Sequence, residues 1–235
     1  MNVMLRQIFT ASLMMMPMAL VAQTAAPRLN VDYTVLATPQ PVYAPVKGKI
    51  EVAEVFSYAC GACASANPAI NAWNKTKPAD VNFVYIHSVV QGGPWERFAR
   101  GFFAAEAKKI QAQSHDAVFQ AVFVDQKLSN TASLEDIAKF YSKYGVTSTQ
   151  MLAIMNSPSI TAKLNRSKQF TLRTGASSTP TIIVAGKYKL NATREGGFAG
   201  MMRTVDFLVA KERAAIAARA PAKAASVPLK PAVKK

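Results

Sequence analysis

The spacing of hydrophobic positions changes several times along the chain, and each change predicts an element. Residues 49–58 are mainly β-branched and aromatic, which predicts a short buried strand whose end runs directly into Cys60. Val81-Asn82-Phe83-Val84-Tyr85-Ile86-His87 predicts a second strand. From Trp95 to Arg173 the period is helical: Trp95, Phe98 and Phe102 share one face, as do Phe119, Val122 and Phe123. Ser133 with Asp136 resembles a capping box ahead of Ile137, Phe140, Tyr141 and Tyr144, and Gly145 closes that helix. Two further helices are predicted over residues 147–156 and 158–174. Thr181-Ile182-Ile183-Val184-Ala185 then turns at Gly186-Lys187 into Tyr188-Lys189-Leu190, the pattern of a β-hairpin. A last helix begins at Gly197 and fades near Ala218. The aromatic stripes read as bundle core, since nothing at helical spacing offers metal or haem ligands.

The first segment changes what the rest means. Residues 1–26 hold one charge, Arg6, ahead of an uncharged run from Ile8 to Ala22 and then small and polar residues, which reads as a secretory signal peptide cleaved within residues 22–27. A transmembrane anchor is the alternative, but the run falls short of the ~20 residues that span a bilayer, and Pro17 interrupts it. Export to an oxidising compartment favours a disulfide where the cytosol favours thiols.

The 235 residues include 28 Lys and Arg against 13 Asp and Glu, a net charge of +15. The leader accounts for one positive charge and residues 219–235 for five, which leaves +9 spread over residues 27–218. That tail, rich in Ala, Pro and Lys, is expected to be disordered. Arg clustered with aromatics on a folded face is absent, so no nucleic-acid partner is expected. Composition excludes a disordered or disulfide-dense chain.

Cys60 and Cys63 are the whole thiol inventory. A C-x-x-C that follows a strand and opens a helix sets its first sulfur beside unpaired backbone N–H groups and the positive end of the helix dipole, both of which favour the thiolate. Cys60 is then the nucleophile and Cys63, in the first turn and facing the core, the resolving thiol. A zinc site needs about four ligands, and only His87 and His115 are left to join the pair, so no metal is expected. A purely structural disulfide over so short a loop gains little from loop entropy.

The segment Glu54-Val55-Phe56-Ser57-Tyr58-Ala59-Cys60-Gly61-Ala62-Cys63 and the segment from Gly175 through Ser178-Thr179-Pro180-Thr181 to Leu190 resemble the DsbA family of periplasmic thiol:disulfide oxidoreductases. The resemblance covers residues 28–212 in layout. It implies an α/β thioredoxin fold, a mixed sheet flanked by helices, with residues 27–90 and 175–218 as its halves and an all-helical insert over residues 91–174. It also implies that Pro180 is a cis-proline facing the active-site disulfide, that Thr179 offers its backbone to a substrate as a short added strand, and that Glu54 shuttles the proton of the resolving thiol. The alternatives are a trans-Pro starting an edge strand and, for Glu54 as for Glu51, a strand glutamate that simply faces solvent. His87 reads as a satisfied strand-end histidine.

Three departures from the family bear on the direction of electron flow. Gly61 and Ala62 replace the Pro and His best known between the cysteines, which leaves thiolate stabilisation to backbone N–H groups and helix dipole and implies a milder oxidant. Tyr85 stands where the family often has a buried Lys. Thr179 stands where the oxidases commonly have Val.

The expected activity is a monomeric, cofactor-free enzyme that passes its Cys60–Cys63 disulfide to reduced, unfolded exported proteins and, by resemblance, is reoxidised by a DsbB-like membrane quinone reductase. A reductase or isomerase on the same fold is the near alternative. A peptide-binding chaperone with a non-catalytic disulfide is the distant one.

Overall fold

A computed structural model describes residues 25–225. The apolar leader run and the end of the basic tail lie outside the described residues. The elements run β1 (Thr34–Val35), β2 (Ile50–Phe56), α1 (Gly61–Thr76), β3 (Val81–His87), α2 (Pro94–Ala107), α3 (Gln111–Phe119) continued by a π-helical turn (Gln120–Val124), α4 (Leu134–Tyr141), α5 (Ser148–Met155), α6 (Pro158–Arg173), β4 (Thr181–Val184), β5 (Tyr188–Leu190) and α7 (Gly197–Ala225). The sheet order is β1-β5-β4-β2-β3. β2 and β3 pair in parallel with α1 as their crossover, and β4 runs antiparallel to β2, so the sheet is mixed. Helices α2 to α6 stand between β3 and β4 in the chain, which is the thioredoxin-type layout with a helical insertion.

Several boundaries follow local chemistry. Ser133 and Asp136 form a complete capping box at α4, and Thr147 with Gln150 forms another at α5. Thr147, Ser157 and Cys60 are each N-caps whose side chain accepts a backbone N–H. Gly145 ends its helix in the left-handed region, with φ of 81°.

One strand went unpredicted, and two expectations need correcting. β1 had no sequence signal, because two residues cannot show alternation; it exists through antiparallel pairing with β5. The stripe through Phe119, Val122 and Phe123 passes from α-helix to π-helix at Gln120, and Phe123 is only partly buried, packed against the edge of that core. Finally, α7 continues to Ala225 where a disordered tail from residue 219 was expected.

Every residue of β2 is buried. Its two faces and its end feed different cores. Val52 packs with Ile182, Val184, Ile70 of α1 and Val205 and Leu208 of α7, while Ala53 and Val55 pack with Ile86, Ile183 and Phe170 on the other face. Phe56 and Tyr58 enter the core of the inserted helices beside Phe98, Phe102 and Phe119. The C-terminal end of β2, where Cys60 follows, is thus held by both parts of the molecule.

Candidate active site

The strand-to-helix junction is fixed by one serine. The Ser57 carbonyl accepts the Cys60 N–H at 3.1 Å, and the Ser57 hydroxyl accepts the Ala59 N–H, also at 3.1 Å. Cys60 then caps α1 with φ of −104° and ψ of 114°, and its Sγ accepts the Cys63 N–H at 3.4 Å. No acidic residue occupies the first turn of α1 to oppose a thiolate there. Cys60 is half-buried and Cys63 fully buried.

This asymmetry separates two identical side chains. The Cys63 thiol beside it, then Thr179 and the backbone N–H groups of Cys63 and Ala62, outweigh burial and hold the Cys60 thiol down at about 5. Burial first, and then the neighbouring Cys60, push the Cys63 thiol far above the ordinary thiol range. The absent histidine is therefore replaced mainly by the partner thiol, more than by the helix terminus the sequence suggested. At neutral pH the site presents one half-buried thiolate and one buried, protonated thiol.

The loop before β4 meets Cys60 from the side. The Thr179–Pro180 peptide is cis, and Cys60 Sγ stands 3.5 Å from the Thr179 carbonyl oxygen, to which it donates when protonated. Thr179 is half-exposed, and its N–H donates to no described group. Glu54 lies inside the sheet, in register with Tyr85 on β3 and Ile182 on β4, and is 3% exposed. Burial, followed by the charge of Cys60, raises its carboxyl to about 8. Tyr85 offers it no hydrogen bond, since the phenol donates to Asn71 Oδ1 at 3.0 Å. Glu51 is not solvent-facing as a strand glutamate usually is: it is buried, and its carboxylate accepts the Tyr43 and Ala44 N–H groups at 2.6 and 2.5 Å.

The geometry has relatives. Residues 51–202 match the model of the DSBA-like thioredoxin domain. The chain belongs to that family. It is 34% identical over 184 residues to the thiol:disulfide interchange protein DsbA of Pseudomonas aeruginosa, covering 78% of this chain and 85% of that one. The DsbA of Pseudomonas syringae pv. tomato is also 34% identical, over 83% of this chain and 89% of its own. Among solved structures, the oxidoreductase DsbA from Xylella fastidiosa superposes with a TM-score of 0.75 at 32% identity, covering 81% of this chain and all of that one. This DsbA-family chain is a thiol:disulfide oxidoreductase.

Within the DsbA-family site, Cys60, Cys63, Thr179 and Pro180 converge, with Glu54 beneath them. Three other contributors carry no motif. His87 accepts the Tyr58 N–H at Nε2 (3.1 Å) and donates from Nδ1 to the Ser88 carbonyl (3.0 Å), so it holds the active-site turn as a neutral ring; burial lowers it to about 3. His115 of α3 meets the Tyr58 hydroxyl at 2.8 Å and is lowered to about 4 by burial. Asn191, just after β5, donates to the Pro180 carbonyl at 2.7 Å and to Thr181 Oγ1 at 2.6 Å, which clamps the loop that carries Thr179. A lone Asn after a hairpin and a His on a helix look like many others in sequence. Only the fold brings them here. Among the described residues, no group of three or more His, Cys, Asp or Glu side chains converges as metal ligands, and no helix is long and apolar enough to cross a membrane.

Proposed function

We propose that this oxidoreductase works as a disulfide donor to reduced, unfolded proteins exported to the periplasm. The observation that carries the reading is the split between a Cys60 thiol held at about 5 and a Cys63 thiol pushed far up. A substrate thiolate attacks Cys60 Sγ; a substrate–Cys60 bond forms, the Cys60–Cys63 bond breaks, and its electron pair leaves on Cys63. Glu54, neutral at pH 7 because its carboxyl sits near 8, supplies the proton that Cys63 takes. A second substrate thiolate then attacks the substrate sulfur of the mixed disulfide, and Cys60 departs as a thiolate. A low-pKa thiol leaves fast, and a stabilised thiolate makes the reduced enzyme the favoured product. The substrate is oxidised by two electrons and the enzyme pair reduced by two.

Thr179 supports substrate alignment: its carbonyl and free N–H form the backbone pair that an extended peptide uses when it adds as a strand. The family resemblance supports a membrane quinone reductase as the reoxidant. Equilibrating the Cys60–Cys63 pair against a glutathione series tests the direction of electron flow. A reduction potential near or above about −180 mV is expected; a value toward roughly −270 mV would make the protein a reductase or isomerase and overturn the proposal.

A further inference from the structure

The inserted helices reach the redox motif through two consecutive residues of α3, His115 and Asp116. His115 Nδ1 meets the Tyr58 hydroxyl at 2.8 Å, and Tyr58 stands two positions before Cys60. Asp116 Oδ1 accepts from Asn67 Nδ2 at 2.8 Å and from Asn71 Nδ2 at 2.6 Å, both on α1, the helix that Cys60 caps. One short stretch of α3 thus grips the turn before Cys60 with one side chain and the helix after it with the next.

The bond to Tyr58 has a fixed direction. The phenol is fully buried and His115 is the one described partner of its hydroxyl, so the hydroxyl donates and Nδ1 accepts. The ring proton then sits on Nε2, which has no hydrogen-bond partner among the described residues, so Nδ1 is the single polar anchor of the imidazole. The rings of Phe56, Tyr85 and Phe119 stand 5.3, 4.2 and 5.3 Å from its own and leave it little room to turn. The other end of Tyr58 is held as well, by the bond from its N–H to His87.

What this grip controls is the aim of one donor. Cys60 belongs to both the turn and the helix: the Ser57 carbonyl holds its N–H, and its Sγ accepts the Cys63 N–H from the first turn of α1 at 3.4 Å. A donor on Sγ favours the thiolate, and its effect weakens if the turn and α1 move apart. Asp116 serves here by its bonds and not by its charge, since a carboxylate close to Cys60 would disfavour the thiolate.

We propose that His115 and Asp116 are positioning residues for the redox pair: they set the turn at Tyr58 against α1 and so hold the Cys63 N–H on Cys60 Sγ. The inference rests on Cys60 as the reacting sulfur and is independent of the direction of electron flow.

The test compares single variants by two readouts: the ultraviolet thiolate absorbance of reduced protein against pH, and the equilibrium with glutathione at neutral pH. Tyr58→Phe removes only the hydroxyl, His115→Leu its acceptor, and Asp116→Ala, at an exposed position, both bonds to α1. Each is expected to lower the acid dissociation constant of Cys60 about fivefold or more, as a weakened hydrogen bond to a charged group does. The glutathione equilibrium should move about fivefold toward the disulfide, a fall of about 20 mV in potential. His115→Asn and Asp116→Asn retain an acceptor oxygen and are expected to stay within about twofold of wild type. The pair Tyr58→Phe with His115→Leu should match either single variant, because both remove the same bond.

A lower Tm with both readouts within twofold would show a role in stability alone and overturn the proposal. Equal shifts in Asp116→Asn and Asp116→Ala would overturn it too, because charge and not the bond would then be acting. Should His115→Leu fail to fold, Tyr58→Phe decides that arm, since it loses a single oxygen. Cys60→Ser separates this proposal from the reading beneath it. A titration near 5 that survives Cys60→Ser overturns the assignment of the thiolate and the proposal with it. One that Cys60→Ser abolishes and Tyr58→Phe leaves in place overturns the proposal alone. Failure as a disulfide donor shows only in the wild-type potential and leaves the comparison among variants intact.

Discussion

Cys60 and Cys63 are the same side chain three positions apart, and their surroundings give them opposite protonation at neutral pH. Cys60 sits at the helix terminus with donors aimed at it; Cys63 sits inside, where a charge has no compensation. Glu54 is a third group displaced by the same burial, and it makes a prediction at this scale. Its carboxyl is raised from 4.5 to about 8, so the folded state binds a proton there that the unfolded chain releases. Its contribution to stability is therefore whole below about pH 4.5 and is lost as pH climbs through about 8. Glu54→Gln removes this slope. Urea unfolding of the reduced forms should show the variant gaining on wild type from pH 4.5 to pH 8 and running parallel to it above; a constant difference across that range would mean that Glu54 is ionised in the fold throughout.

At the scale of elements, the insert is anchored by close approach as much as by caps. A Cβ on Gly101 of α2 would lie 2.6 Å from Ile137 Cγ2 and 3.2 Å from the Tyr141 ring of α4, both buried side chains with no room to retreat. Gly101→Ala should cost about 1–3 kcal/mol of overpacking, offset in part by roughly 1 kcal/mol of helix propensity. A thermal scan of the variant should show a lower Tm, whereas an unchanged or raised Tm would mean that α2 and α4 can move apart. Gly186 is the counterpart in the sheet: φ is +64° and a Cβ would meet the Gln40 carbonyl oxygen at 2.0 Å, so the β4–β5 turn packs directly on the segment before β2. These contacts matter for the site because α3 reaches Tyr58 through His115, and α2 supplies Phe98 and Phe102 around the same ring.

For the molecule as a whole, the thiolate at Cys60 links redox state to stability. Its pKa is lowered from 9.0 to about 5 only in the folded reduced form, so that form gains stability from this group as pH rises from about 5 to about 9, above which the raised Cys63 thiol works against the gain. The disulfide form has no such group. Reduced protein should thus unfold at higher urea than oxidised protein at neutral pH, and the gap should shrink as pH falls toward 5. Equal midpoints for the two forms at pH 7 would contradict the assigned thiolate. His87 and His115 act alike in both forms: their folded values lie below 6.5, so both redox states lose stability as pH drops below about 6.5. Comparing the two forms at each pH cancels that loss.

Local pattern was enough for what depends on neighbours in the chain. Apolar runs marked β2, β3 and β4, capping residues marked α4, and the position of Cys60 between a strand and a helix already defined a redox pair with unequal thiols. Glu54 and Pro180 were legible only through resemblance, since neither has a local signal that separates it from an ordinary strand glutamate or an edge proline. The remainder depended on residues far apart in sequence. Glu51 and Glu54 are both inside because β2 is central, with neighbours on each side. β1 exists because β5 lies open to pairing. Asn191 and His115 reach the site across long stretches of chain, as does the π turn that sets Phe123 beside Gly61. A side chain's period along the chain reports which face it occupies, but what stands opposite that face, and hence its charge state and its role, is set only when the sheet and the inserted helices close around it.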